Sequence, residues 1–407
     1  MLFRSDERLA NFAGDLVTTV DGIRERLGAP YSQDPNGIVP SEIAGVDKNF
    51  KMPQVWKSSF AVDYQLPVNF PLTVTGELTY TKNINAVNLD NWNMVNPGEE
   101  LLKEGSEWRR MAGADNRWIY PADKASWNYY TQYSNVCVLS NNHKGYGWTA
   151  SIQLNAEPVK NLFITAAYTH TVNREVTGMP GSNAGSAWSY MHTVNGPNVI
   201  DLKNSSFVTP DRVIANISYK YGKEHFSLFY SGYSPAGYSY TYSNDVNGDG
   251  LAYDLIYIPR NDSEIKFKTD DDRIAFWNFV EQDDYLKNHK GEYADAYAAR
   301  APWVHTFDFK WAHDFDIKIG STMHKLQLIA NIENIGNMLN SKWGVAKQIP
   351  GMSNNQFKLL TMTNVSDVKK GATPIYALST DLKNTWDFNH SYGQCWRLQI
   401  GVKYYFN

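Results

Sequence analysis

The segment Trp396–Phe406 restricts what this chain can fold into more than any other. Trp396, Leu398, Ile400, Val402, Tyr404 and Phe406 alternate with Arg397, Gln399, Gly401, Lys403 and Tyr405. Period-two alternation sends the two sets to opposite faces of an extended strand. Ten steps of about 3.3 Å make a strand of ~33 Å. A tilt of about 40° projects this to about 25 Å, the height of the apolar band of an outer-membrane barrel. Aromatic residues close the stripe at both ends, as interfacial girdles do.

The pattern recurs along the chain. Trp56, Ser58, Phe60, Val62, Tyr64 and Leu66 share one face, and Leu72, Val74, Gly76, Leu78 and Tyr80 oppose a row of Thr and Glu. Stripes follow at Trp148–Leu154, Leu162–Tyr168, Val213–Tyr221, Phe226–Tyr230, Phe307–Trp311 and Leu326–Ile332. A soluble sandwich alternates too, so the connections decide. Short links near 67–71, 158–161, 222–224 and 317–323 alternate with long ones over roughly 91–145, 177–207 and 244–302. Outer-membrane barrels have short periplasmic turns and long extracellular loops, whereas sandwiches mix loop lengths at both ends. Counting back from the last strand puts every short link on the periplasmic side. With weaker strands at Gln356–Thr363 and Pro374–Ser379, the count is about eleven. An odd antiparallel set does not close on itself, and 22 strands is a standard size for plugged transporters. The expected fold class is therefore all-β: an antiparallel transmembrane β-barrel, partial, about half of a 22-stranded one, with long extracellular loops.

Composition agrees with a wall between lipid and water. Mean hydropathy is −0.47 over 407 residues, yet there are 26 Tyr and 13 Trp. Net charge is −4 with no basic block, which argues against nucleic acid as a partner. Cys137 and Cys395 allow at most one disulfide. No apolar run reaches the length of a transmembrane helix. The stretch Met1–Arg26 has no apolar core of signal-peptide length. The chain is read as a fragment, with residues 1–50 as an extracellular loop or fragment start and 51–407 as the C-terminal part of a barrel.

No nucleophile elbow, zinc-protease helix or Cys-x-x-Cys pair is present. An enzyme is therefore not expected, and no cofactor is expected beyond a candidate calcium ion. The candidate ligands are Asp245, Asn247 and Asp249, alternate oxygen donors followed by Gly250, with Asp254 further on. The twelfth position, where an EF-hand needs Glu, is Ile256. The competing reading is an Asn/Asp/Gly-rich turn. Thr269–Arg300 reads as short helices inside a loop, with Asp270, Asp271 and Asp272 at a helix start and Ile274, Phe276, Trp277 and Val280 packing on the barrel wall. Gly178–Trp188, rich in Gly, Ser and Asn, reads as a mobile loop. Trp108, Trp118, Trp127, Trp188 and Tyr190 lie in long loops, where they either stack on a ligand or pack the loops themselves.

Several runs resemble the barrel of Oar-like TonB-dependent receptors. They are Lys51-Met-Pro-Gln-Val-Trp56, Asn247-Gly-Asp-Gly250 leading into Asp254-Leu-Ile-Tyr-Ile-Pro259, Ala299-Arg-Ala-Pro-Trp303, Asn334-Ile-Gly-Asn337, and the closing Gly401-Val-Lys-Tyr-Tyr-Phe406. Tyr285-Leu286, His289 and Gly291-Glu-Tyr293 fit the same family's loop. The pattern is departed from where Asn407 follows the terminal aromatic, and no plug domain or TonB-contacting segment is present. The resemblance implies a plugged 22-stranded barrel in the bacterial outer membrane that moves a large solute, with energy relayed by TonB through the plug. The implied partners are outer-membrane lipid, TonB by way of that plug, and a solute whose identity the sequence does not disclose. Trp396, Leu398, Ile400, Val402, Tyr404 and Phe406 are expected to face lipid and to form the assembly strand. Two rival functions share the same pattern: an adhesion or binding barrel without transport, and a soluble secreted β-rich carbohydrate binder.

Overall fold

The computed structural model describes residues 41–99, 106–381 and 383–405. Nine long strands run in chain order: β1 (Gln54–Gln65), β2 (Leu72–Asn91), β3 (Tyr146–Val159), β4 (Leu162–Glu175), β5 (Asp211–Tyr221), β6 (Glu224–Tyr233), β7 (Val304–Ile319), β8 (Thr322–Glu333) and β9 (Arg397–Tyr405). Each pairs antiparallel with the next. The result is an up-and-down all-β wall. Among the described residues the outer edges of β1 and β9 have no partner strand.

Directly opposed residues in a ladder share a face, so the register tests whether the separate stripes belong together. Val402 lies opposite Leu328, and Leu328 opposite His313. One step along, Ile332 meets Phe309, Phe309 meets Leu228, Leu228 meets Ile217 and Ile217 meets Ile164. Leu154 then meets Val74, which meets Tyr64. The stripes join into one apolar face that crosses all nine strands. It is left uncovered: Phe60 and Ile400 are each 68 % exposed.

The other face pairs its polar groups laterally. Thr149 and Thr171 hydroxyls lie 3.2 Å apart, and Thr165 Oγ1 donates to Asn155 Oδ1 at 3.0 Å. Further along, Asp314 accepts from Gln327 Nε2 at 2.7 Å and lies 3.0 Å from His225 Nε2.

The short turns hold to one end. Gly222 and Gly320 take φ of 59° and 63° there, the left-handed region that a side-chain-free residue enters without steric cost. The four long loops all emerge at the opposite end. This is the arrangement that the alternation of link lengths predicts.

Two strand assignments change. Gln356–Met362 and Tyr376–Leu378 do not extend the wall. They join Gly237–Tyr242 and Ala299–Arg300 in a separate four-stranded sheet within the loops. Among the described residues the wall keeps nine long strands; Asn135–Asn142, Glu42–Val46 and Lys203–Asn204 join it at the loop end to make a twelve-stranded sheet, and the two weaker segments of the expected eleven lie outside it. The physical reason is burial on both faces: Phe357, Leu359, Leu360 and Met362 all sit inside a loop core, and such a short apolar run looks like a wall strand until its surroundings are known.

The helix over Asp270–Gln282 forms as expected, its N-terminus capped by Thr269, whose hydroxyl accepts from the Asp272 amide at 3.1 Å. Phe276, Phe279 and Val280 pack into the loop core rather than on the wall, and Ile274 stays half exposed. Gly178–Trp188 runs from an irregular stretch into a short helix. Asn183 caps a helix over Ala184–Ser189, and Trp188 is buried. No helix among the described residues is long and apolar enough to cross a membrane, which says nothing about crossing by strands. Of residues 1–50, only 41–50 are described, and a strand over Glu42–Val46 lies there, parallel to Asn135–Asn142.

Candidate functional site

The long loops fold together into a cap with its own core. Gly237–Tyr242 supplies Tyr238, Tyr240 and Tyr242, each almost wholly buried. Around them pack Ile256, Phe279, Leu286, Phe357, Leu359 and Tyr376. A buried phenol needs a partner. Tyr240 donates to Asp283 Oδ2 at 2.6 Å, and Thr385 Oγ1 donates to the same oxygen at 2.8 Å.

Arg117 joins the first long loop to the third. It is wholly buried. Its Nε lies 2.9 Å from Asp115 Oδ1, its Nη2 donates to the Leu255 carbonyl at 2.7 Å, and its Nη1 reaches Asp254 Oδ1 at 3.4 Å. The guanidinium stands 4.9 Å from the centre of the Tyr242 ring and 5.5 Å from that of Tyr293. Tyr242 and Tyr293 hydroxyls complete the Asp115 carboxylate at 2.9 and 3.1 Å. Sequence reasoning missed this group because Arg117 sits in an unremarkable polar run, and its partners lie far along the chain.

The candidate aromatics divide. Trp127 and Trp188 are buried structural residues in a second core with Leu89, Met94, Tyr120 and Met191. Trp188 Nε1 donates to Asn198 Oδ1 at 2.8 Å. Trp108 packs edge-on against Trp118 and Tyr120. Trp118 carries the Arg110 guanidinium 3.7 Å above its ring. Tyr190 leans on Tyr253, 5.1 Å between centres. These five residues are not brought together on one ligand platform.

The Asp245–Asp254 loop lies in the cap. Asp245 accepts from the Gly248 and Gly250 amides at 2.6 and 2.9 Å. Asp249 accepts from the Leu251 amide at 2.8 Å, and Asp254 from the Val246 amide at 3.1 Å. Asn247 donates to Asp249 at 3.1 Å. Among the described residues no three His, Cys, Asp or Glu side chains are grouped so as to hold a metal ion. Burial and the neighbouring Asp245 push the Asp249 carboxyl up to about 7. Cys137 and Cys395 are both free, the first buried and the second exposed. Trp396, Leu398, Ile400, Val402 and Tyr404 are exposed at the open edge, and Phe406 lies outside the described residues.

His192 ties the second loop to the third. Its ring stacks on Tyr297 at 4.7 Å and Tyr253 at 5.6 Å, and its Nδ1 lies 2.6 Å from Ser239 Oγ. Burial, reinforced by Lys203, lowers its pKa from 6.5 to about 3. A base whose folded pKa is depressed stabilises the fold above its unfolded pKa and loses that contribution as pH falls toward the folded value. Between pH 6.5 and 5 this amounts to about 2 kcal/mol. Asp249 changes in the opposite sense over pH 7 to 4. The expected result is therefore a difference: as pH falls from 6.5 to 5, the cap of His192→Gln gains stability relative to the parent by about 2 kcal/mol, read by amide hydrogen exchange at several pH values. Identical pH slopes would remove His192 from the account.

No protein-family model matches the chain, and no curated protein matches it. A solved structure similar to it is the outer membrane transporter YddB from Escherichia coli, at 8 % identity with a TM-score of 0.39. The match covers 90 % of this chain and 35 % of the transporter, so the chain spans about a third of that protein's length.

Proposed function

We propose that this chain is a segment of an outer-membrane receptor or transporter barrel, working in TonB-dependent uptake of a large solute. The observation that carries the membrane part is the joined apolar face. Nine strands leave a continuous sheet of Leu, Ile, Val, Phe, Tyr and Trp uncovered, far beyond the patch that a soluble protein exposes. Lipid is the solvent that matches it. The rival soluble carbohydrate binder would have to cover that face, and no second layer lies on it among the described residues.

In this reading the wall supplies the lipid contact, the cap takes up solute outside the cell, and the polar face lines the inside. Coupling to TonB comes by way of a plug, as the resemblance to Oar-like receptors implies. A strand edge open in lipid leaves backbone groups unpaired at several kcal/mol each, so the outer edges of β1 and β9 pair with further strands in the working barrel. The adhesion reading differs only in lacking transport.

Single cysteines at Ile400 and Leu328 should be protected from a water-soluble thiol reagent in outer-membrane vesicles. Cysteines at Gln399 and Gln327 should react. Reaction of the first pair with protection of the second would overturn the orientation. Uptake that continues after TonB is removed would leave the barrel and sink the energy coupling.

A further inference from the structure

We propose that the strand Glu42–Val46 is a docking edge in the cap, which captures an extended peptide by pairing with its backbone. This rests on the receptor reading only in placing the cap outside the cell.

The strand ends the large sheet at the loop side. It lies parallel to Asn135–Asn142, and among the described residues no strand pairs with its other edge. The backbone shows which groups face outward. The Ser41 carbonyl accepts from the Ser134 amide at 2.7 Å, and the Asp47 amide donates to the Leu139 carbonyl at 2.9 Å. Along a strand the N–H and C=O of one residue point to one side and those of the next to the other. Ser41, Ile43, Gly45 and Asp47 therefore face the partner strand. Glu42, Ala44 and Val46 turn their N–H and C=O groups to the open edge. All five residues of the strand are exposed. Natural sheets blunt such an edge with lysine, proline or a bulge. Here the residues after Glu42 are Ile, Ala, Gly and Val, and the register is unbroken.

A groove of about 360 Å³ runs beside this edge. Val46, Leu139 and Leu89 lie side by side across three strands and form its floor. Met179, Ala184 and Ala187, from the second long loop and its short helix, form the opposite side. A strand added at the open edge sends alternate side chains to the face on which the groove lies. Open main-chain groups beside an apolar groove are the two parts of peptide capture by strand addition: the first gives affinity and the second selects side chains. An aliphatic molecule would use the groove alone and leave the edge to water. Glu42 sets the sign of one end. Its carboxylate accepts from Asn135 Nδ2 at 3.1 Å, and among the described residues it has no ion-pair partner. A basic residue at that end of the peptide complements it.

The test uses the full chain in phospholipid nanodiscs, which keep detergent out of the groove. The probe is acetyl-Lys-Val-Thr-Val-Thr-Val amide. Two controls carry N-methyl groups at alternate residues, one for each register, and a third has Glu in place of Lys. Calorimetry should show saturable binding of the probe. One methylated version should bind at least ten-fold more weakly than the other, because only one set of amides faces the edge. The Glu version should also bind more weakly, by a margin that shrinks with added salt. The amides of Ala44 and Val46 should exchange more slowly in the complex. Ala44→Pro removes one outward donor and leaves the bonds to Asn135–Asn142 in place. Ser182→Trp, at an exposed position on the groove, fills it. Each variant should weaken binding at least ten-fold. Equal binding of the probe and both methylated versions, no binding at millimolar peptide, or unchanged exchange at Ala44 and Val46 would overturn the assignment. So would self-association of the chain that Ala44→Pro abolishes, which would give the edge to a second copy. Thiol protection of the wall is read separately, so a failure here leaves the barrel reading standing.

Discussion

Replacing Arg117 by alanine is expected to destabilise the cap by about 3–5 kcal/mol, the usual cost of leaving a buried ion pair with one partner. The change removes the only cation, among the described residues, within ion-pair distance of both Asp115 and Asp254. It also strips the Leu255 carbonyl of its donor and the Tyr242 ring of its guanidinium. The loss should be local. The wall strands hold one another by ladder hydrogen bonds that do not involve Arg117, so their amides should stay protected while those of 237–258 and 111–120 exchange faster. Hydrogen exchange read segment by segment checks this. Removing the counter-charge as well, in Arg117→Met with Asp115→Asn, should recover part of the loss, because the uncompensated carboxylate is then gone. Protection unchanged in Arg117→Ala would mean that the network contributes nothing to holding the first and third loops together.

The second large effect belongs to the wall. Leu328 lies mid-strand on the apolar face, between Val402 and His313 in the register. A cationic side chain at the bilayer midplane of a barrel costs about 2–4 kcal/mol. In the barrel completed by its further strands, Leu328→Arg should therefore lower the free energy of folding into phospholipid vesicles by that amount, read in a reversible urea titration. Gln327→Arg, one residue away, points to the opposite face beside Asp314, which already receives the Gln327 amide, and should change it by less than 1 kcal/mol, as expected for a partly solvated pair. The sign of the difference matters more than its size. Equal penalties at 327 and 328 would mean that both faces meet the same solvent, and the membrane reading would fall.

How much of this was legible in the residues follows from what each part depends on. Alternation is a local property, so the wall could be read strand by strand, and tight turns such as Gly222 and Gly320 mark the reversals by their own backbone freedom. The order of the strands was legible too, because in an up-and-down wall each strand pairs with its neighbour in the chain. Helix capping by Thr269 is equally local.

What only the tertiary structure decided is everything that depends on contacts between distant loops. Gln356–Met362 carries the residue types of a wall strand, and pairing with Gly237–Tyr242 along one edge and Tyr376–Leu378 along the other makes it part of the cap. For Trp127 and Trp188 the residues left ligand stacking and loop packing equally open, and the structure makes them core because Leu89, Met94 and Tyr120 close around them. Arg117 reaches Asp254 across 137 positions, and no pattern in either neighbourhood anticipates the other. Side-chain periodicity records which solvent each face of a strand meets. It carries no record of which loop another loop will meet, because that is set by packing and by pairing of buried charge once the wall has brought the loop bases together.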